Sequence, residues 1–166
     1  LGQFVTVSDL VKEVGAEVAR FFTVMRAAES HMDFDLDLAN EQTQKNPYYY
    51  VMYAYARANS LLAKAKEAKL QVGERTTNLS PQEKELIRQM SRLSGLLSEV
   101  AADYGVHRLT FFGAELAKLF HDYYEQEKII DLDPAVAAEK LYLVQQFADF
   151  MSNYFKVLGI TPIEKM

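Results

Sequence analysis

Three dipeptides fix where helices begin in this chain. Asn46-Pro47, Ser80-Pro81 and Asp133-Pro134 each set a residue with a capping side-chain oxygen directly ahead of a proline. Proline suits the first helical position, where no N–H is needed and its fixed φ is already helical, but it breaks a helix interior or a central strand. In Ser80-Pro81-Gln82-Glu83 the glutamate completes a capping box, in which hydroxyl and carboxylate satisfy orphan backbone donors reciprocally. With Gly73, Gly105 and Gly159 in or near the stops, the pattern predicts long helices over 47–69, 81–103, 107–127 and 134–158.

Upstream the signals are shorter. Phe4-Val5-Thr6-Val7 reads as a brief extended lead-in, Ser8 as an N-cap ahead of Leu10, Val11 and Val14, and Gly15 as the end or kink of that first helix. Val18, Phe21, Phe22 and Met25 then recur at spacings of three and four, predicting a second helix to about Ala27. Three aspartates in 29–37 disfavour a strand, so a loop and then a short helix to about Gln44 are expected. Each long segment carries one apolar stripe, such as Leu86, Met90, Leu93, Leu97 and Val100, or Leu141, Val144, Phe147, Met151 and Phe155. Burying a large apolar side chain is worth about 1.5–3 kcal/mol, so pooling the stripes in one core offsets the entropy of ordering the chain. The expected fold is an all-α helical bundle.

At 166 residues, 49% hydrophobic and 25% charged, the chain has the make-up of one globular domain, which excludes a disordered or collagen-like chain. It has no cysteine, and so no disulfide, thiolate nucleophile or cysteine metal site. No apolar run reaches the length of a membrane span and the first residues do not read as a signal peptide, so a cytoplasmic protein is expected. The net charge of −5 conceals a segregation: residues 1–44 hold 3 basic and 8 acidic groups, 45–92 hold 9 and 4, and 93–166 hold 6 and 11. The basic middle keeps a polyanion partner open although the whole chain is acidic.

Residues for catalysis are not apparent. His31, His107 and His121 form no helical pair, the seven glycines form no phosphate-cradling loop, and Asp33, Asp35 and Asp37 lack the glycine and distant glutamate of an EF-hand. A Ser-His-acid hydrolase needs a strained nucleophile turn, and none is present. No metal, cofactor or catalysis is expected of the chain itself. By contrast, residues 46–57, NPYYYVMYAYAR, hold five tyrosines and an arginine with no acid. Tyr50, Tyr53 and Arg57 fall on one helical face. An aromatic stripe is more often core than platform, but Tyr48, Tyr49, Tyr50, Tyr53 and Tyr55 point around most of the helix, so some must meet solvent or a ligand. Tyrosine faces stack on unpaired bases, and arginine pairs with phosphate or stacks on a base.

Four runs carry a family likeness: FVTVSDLVKEVGAEVARFF (4–22), SHMDFDLDLANEQ (30–42), NPYYYVMYAYAR (46–57) and LGITPIEKM (158–166). They resemble the C-terminal part of the arginyl-tRNA synthetases, and the resemblance extends over nearly the whole chain. Glu17-Val18-Ala19-Arg20 is similar to the Asp-Ala-Leu-Arg signature of that family's anticodon-binding domain. The resemblance implies a class I synthetase anticodon-binding helical bundle over 45–166, preceded by a stem-contact and linker segment, 1–44, that joins a catalytic nucleotide-binding domain. Leu1-Gly2-Gln3 resembles the tail of the second signature loop of these enzymes, while the rest of that loop and the arginine pocket are missing from the sequence. The chain is therefore expected to be a piece of a longer enzyme, inactive alone; ATP use and arginine attachment belong to the full-length protein.

The resemblance also assigns residues. Tyr50, Tyr53 and Arg57 match the Tyr-x-x-Tyr-Ala-x-x-Arg run that contacts the anticodon, and Met166 matches a closing methionine that packs beside it. Phe120-His121-Asp122-Tyr123-Tyr124 resembles a Phe-His-x-Phe-Tyr segment that brings Tyr124 to the anticodon nucleotides, with His121 as a structural hydrogen-bonder. Met52 and Tyr55 stand where the family usually has Gln and His, so altered base contacts are expected there, with the platform kept. The implied partners are an arginine tRNA, through its anticodon stem-loop, and the enzyme's own catalytic domain, with Lys45, Arg57, Lys64, Lys66 and Lys69 attracting phosphate. A monomer is expected. Patterning by itself also fits a helical protein-interaction module without RNA binding.

Overall fold

Each of the three proline starts is used as expected. The structure is a computed structural model that describes residues 6–74 and 78–166; the extended lead-in expected at Phe4 and Val5, and Leu1-Gly2-Gln3, lie outside the described residues. Helices α1 (Val7–Val14) and α2 (Ala16–Val24) meet at Gly15, and α3 is a short turn, Leu36–Asn40. They are followed by α4 (Pro47–Glu67), α5 (Pro81–Ser91), α6 (Leu93–Asp103), α7 (His107–Gln126) and α8 (Pro134–Val157), with a 3-10 turn at Ile129–Asp131. The side chains of Asn46, Ser80 and Asp133 each accept from the first turn of their helix, and Ser80 with Glu83 forms the full capping box. No strand occurs among the described residues.

Several boundaries differ from expectation. The α1 cap is Thr6, not Ser8: the Thr6 hydroxyl accepts from the Asp9 N–H at 3.2 Å and donates to the Asp9 carboxylate at 2.6 Å, an acid three residues on that Ser8 lacks. α2 and α3 stop at Val24 and Asn40, short of Ala27 and Gln44, and α3 is capped by Asp35. The helix expected over 81–103 is interrupted at Arg92. There the Ser91 hydroxyl donates to the Arg88 carbonyl at 2.7 Å, while the Arg92 N–H turns to the Gln89 carbonyl at 3.2 Å. A serine competing for a helix carbonyl bends the helix, and Ser94 and Gly95 do little to reinforce it.

The core forms around α4, which packs on α7 and α8, while α2 closes over α4 and α7 and α5 lies along α7. Val51, Met52, Ala54 and Ala58 of α4 are completely buried, the alanines letting the neighbouring helices approach closely. Across the core, the Phe120 and Phe147 rings stack at 3.9 Å. Two buried polar groups tie elements together. Asn46 accepts from the Tyr48 and Tyr49 N–H groups at 2.9 and 3.4 Å and donates to the Leu38 and Ala39 carbonyls at 2.9 and 3.0 Å, which locks the end of α3 to the start of α4. Glu83 serves its capping box and also accepts from the Tyr123 hydroxyl at 3.3 Å and from Lys140 at 3.4 Å, so one carboxylate joins α5, α7 and α8.

Gly113 sits in the middle of α7, where glycine ordinarily weakens a helix. The Tyr154 phenol explains it. Its hydroxyl donates to the Leu109 carbonyl at 2.9 Å, and a Cβ on Gly113 would fall inside the phenol ring and hydroxyl. Gly113→Ala should therefore lower stability by about 1–3 kcal/mol, against the gain of about 1 kcal/mol that helix propensity alone gives. Urea unfolding reads the sign, and Tyr154→Phe in the same chain should recover part of the loss.

Candidate nucleic-acid interface

α4 turns its buried face to α7 and α8 and leaves one side half-open. Of its five tyrosines, Tyr48 and Tyr55 are buried, while Tyr49, Tyr50 and Tyr53 are half-buried, as is Arg57. Tyr50 and Arg57 converge on α7. The Tyr50 ring meets the His121 imidazole edge-on at 4.9 Å, and the Arg57 guanidinium lies over the Tyr124 ring at 5.4 Å. Arg57 Nη1 is 3.1 Å from His121 Nδ1, and His121 Nε2 is 3.2 Å from the Tyr50 carbonyl. Glu125, one turn further along α7 and 69% exposed, approaches Arg57 Nη1 at 3.6 Å. Tyr53 lies on the same side but binds elsewhere, its hydroxyl donating to the Gln42 carbonyl at 3.2 Å.

Burial, more than any neighbour, holds the His121 imidazole below its ordinary pKa; Arg57 adds to this, and the Tyr50 carbonyl, Glu125 and Asp122 oppose it. Burial, then Asp122, push the Tyr50 phenol above its ordinary value, with Arg57 opposing, so the ring keeps its hydroxyl proton. The Arg57–Glu125 pair is largely solvated, and such pairs are worth about 0–1 kcal/mol, less than the about 1–3 kcal/mol of stacking one base on an aromatic ring. A base arriving at Tyr50 or Tyr124 can therefore displace Glu125. With carboxylates at Asp122 and Glu125 beside a single guanidinium, the cluster suits an aromatic, hydrogen-bonding ligand better than a bare anion.

The C-terminal segment runs beside α4. Glu17 accepts from the Thr161 N–H at 2.9 Å and the Tyr48 hydroxyl at 3.3 Å, and Arg20 lies against Gly159, where a side chain would collide with its guanidinium and φ is +66°. The four-residue signature on α2 thus seats the tail. Further on, the Ile163 N–H donates to the Met52 sulfur at 3.3 Å, and Glu164 and Lys165 border a groove of about 420 Å³ with Ser60 and Lys64 of α4. Met166, which follows, is exposed, and the groove bordered by the two residues before it lies beyond Arg57 along α4. Met52 and Tyr55 both face inward, Tyr55 edge-on to Phe155, so the altered base contacts expected at these positions do not follow: neither side chain reaches the open side. Lys64, Lys66 and Lys69 are exposed, and Lys45 pairs with Glu41 at 3.5 Å.

Sequence reasoning did not find Glu125 as a partner of Arg57, nor the contact of His121 with both α4 residues. A larger concavity, about 610 Å³, lies away from this cluster between α6 and α7, but its charged groups are satisfied locally: Arg92 by Gln89, Arg108 by Glu99 and Asp103, Glu115 by Gln89. Among the described residues no group of histidines and carboxylates could hold a metal ion, and no helix is long and apolar enough to cross a membrane.

Fold and site together define a helical-bundle binding domain. Residues 51–166 match the DALR anticodon binding domain, and the chain belongs to that family. It is 41% identical to an arginine–tRNA ligase of Moorella thermoacetica and 38% identical to one of Desulforamulus reducens, in each case over 99% of this chain and 30% of the relative. The fold is that of a putative arginyl-tRNA synthetase from Campylobacter jejuni, with a TM-score of 0.83 and 24% identity over 99% of this chain and 36% of that one. The Thermus thermophilus arginyl-tRNA synthetase follows at a TM-score of 0.75 and 23% identity, over 99% and 28%. The chain spans 30% of the length of the curated relatives it matches.

The depressed His121 pKa gives a pH dependence with a definite sign. The unfolded chain takes up this proton first, so stability is complete above the ordinary histidine pKa of about 6.5 and declines as pH falls below it toward the folded-state value. Thermal melts over this range should show the decline, and His121→Gln should flatten it.

Proposed function

We propose that this chain is the anticodon-reading domain of an arginine–tRNA ligase, and that it receives loop bases of an arginine tRNA against Tyr50, Tyr53, Arg57 and Tyr124. The observation that carries the reading is the half-open cluster itself: two aromatic rings and a guanidinium from α4 and α7, immobilised by a buried histidine, on the one side of the central helix that the core does not cover. A single-stranded loop supplies what such a surface takes up, unstacked bases with hydrogen-bonding edges. The family match favours this over a helical protein-interaction module. Met166 reaches the RNA from the end of the tail, and Lys45, Lys64, Lys66 and Lys69 supply attraction to the phosphates.

In the whole enzyme, residues 1–44 join the bundle, 45–166, to a catalytic domain that binds ATP and attaches arginine to the tRNA; the bundle needs no cofactor of its own. α2, within residues 1–44, packs into the bundle, with Val18, Phe21 and Phe22 buried in the same core as α4 and α7. The reading includes a monomer working in the cytoplasm.

The test is binding of an arginine-tRNA anticodon stem-loop, followed by fluorescence anisotropy at several salt concentrations. Tyr50→Ala and Arg57→Ala should each weaken binding about 5- to 100-fold, the loss of one stacking or charge-assisted contact, with circular dichroism unchanged. Affinity should fall as salt rises. Equal affinity for an unrelated stem-loop, or no effect of either substitution, would contradict the reading.

A further inference from the structure

We infer that His121 is the positioning residue of this interface: bridging the Tyr50 carbonyl and Arg57 as a neutral imidazole, it fixes the guanidinium so that its remaining N–H groups meet the RNA loop as a directed donor fork. The inference rests on the reading of the cluster proposed above. Its chemistry is set by the partners. Arginine has only donors, so His121 Nδ1 must accept from Arg57 Nη1; a carbonyl only accepts, so His121 Nε2 must carry the proton that is donated to Tyr50. Both bonds are made by one tautomer of the neutral ring and by no form of the protonated one.

The consequence for Arg57 is geometric. One nitrogen is pinned by His121, the plane is laid on Tyr124, and Glu125 approaches the same Nη1. Among the described residues Nε and Nη2 make no hydrogen bond, so three N–H groups of a planar, oriented guanidinium remain for a pair of acceptor atoms on the RNA. Without the histidine the same charge would remain, held by Tyr124 and the solvated Glu125 but without the bond that orients Nη1.

Charge and position predict opposite responses to acid. The charged and titratable groups around His121 are Arg57 and Tyr50 on α4, and Asp122, Tyr124 and Glu125 on α7. Protonation adds a positive charge to the interface, which by phosphate attraction alone would tighten RNA binding. It also sets an Nδ1–H against an Arg57 N–H, which turns the guanidinium away and weakens binding.

The experiment measures binding of an arginine-tRNA anticodon stem-loop, and of one with an unrelated anticodon, to the 166-residue chain and its variants. His121→Gln, whose amide can accept from Arg57 and donate to Tyr50, should stay within about threefold of the parent chain, whereas His121→Leu should lose about tenfold or more. Adding Arg57→Ala to His121→Leu should cost little further, because the two residues act as one unit. On acidification from about pH 7.5 to well below the ordinary histidine pKa of about 6.5, through the depressed His121 value, the parent chain should weaken while His121→Gln stays flat. Undiminished binding by a folded His121→Leu, or tightening of the parent chain in acid, overturns the inference. Should His121→Leu not fold, the pH comparison of parent and His121→Gln decides, and identical profiles overturn it. A parent chain that does not prefer the arginine stem-loop overturns the functional reading instead, whatever the variants do.

Discussion

The buried Asn46 amide determines how everything else is arranged. It is sealed from water, so its oxygen and nitrogen must find partners inside the protein, and it finds them on both sides of a chain reversal: the carbonyls that end α3 and the N–H groups that open α4. That fixes the residue at which α4 starts. Each residue of an α-helix turns by about 100°, so a start displaced by one residue would rotate the face that carries Tyr50 and Arg57 by that angle relative to the core. The same cap thus dictates that Val51, Met52 and Ala58 face the core and that Tyr50, Tyr53 and Arg57 do not.

From this register the interface is assembled by packing. Phe120 of α7 stacks on Phe147 of α8, and the residue that follows Phe120 is the histidine that reaches both Tyr50 and Arg57 of α4. The Tyr154 phenol, admitted by the glycine at 113, closes α8 onto α7 from the other side. The electrostatics are restrained: a neutral imidazole, one guanidinium and a solvated glutamate that a stacked base can displace. Such a surface suits a ligand of matching shape and hydrogen-bonding pattern more than a bare charge, and the exposed lysines lie farther along α4.

Much of this was legible in the sequence, because caps and helical periodicity are local. Asn46, Ser80 and Asp133 announced the starts of three helices, and the shared face of Tyr50, Tyr53 and Arg57 followed from spacing alone. The interruption at Arg92 was not legible, because it depends on whether the Ser91 hydroxyl turns back onto a helix carbonyl, a choice that helix propensities resolve poorly. Contacts between distant residues were hidden for a different reason. Arg57 and His121 lie 64 positions apart, and Tyr123 and Glu83 lie 40 apart, so only the packed bundle brings them together. Met52 and Tyr55 show the converse: departures that looked like changes to the binding face are core residues once α4 is seen in place.

On the proposed reading, RNA is received on the uncovered side of α4, joined by α7. This is tested most directly by following side-chain NMR signals while an arginine-tRNA anticodon stem-loop is added to the chain. The Arg57 Nε–H, the His121 imidazole and the Tyr50 and Tyr124 rings should shift together and first. Shifts confined to the groove between α6 and α7, around Arg92, Arg108 and Phe111, with those four residues unmoved, would contradict it.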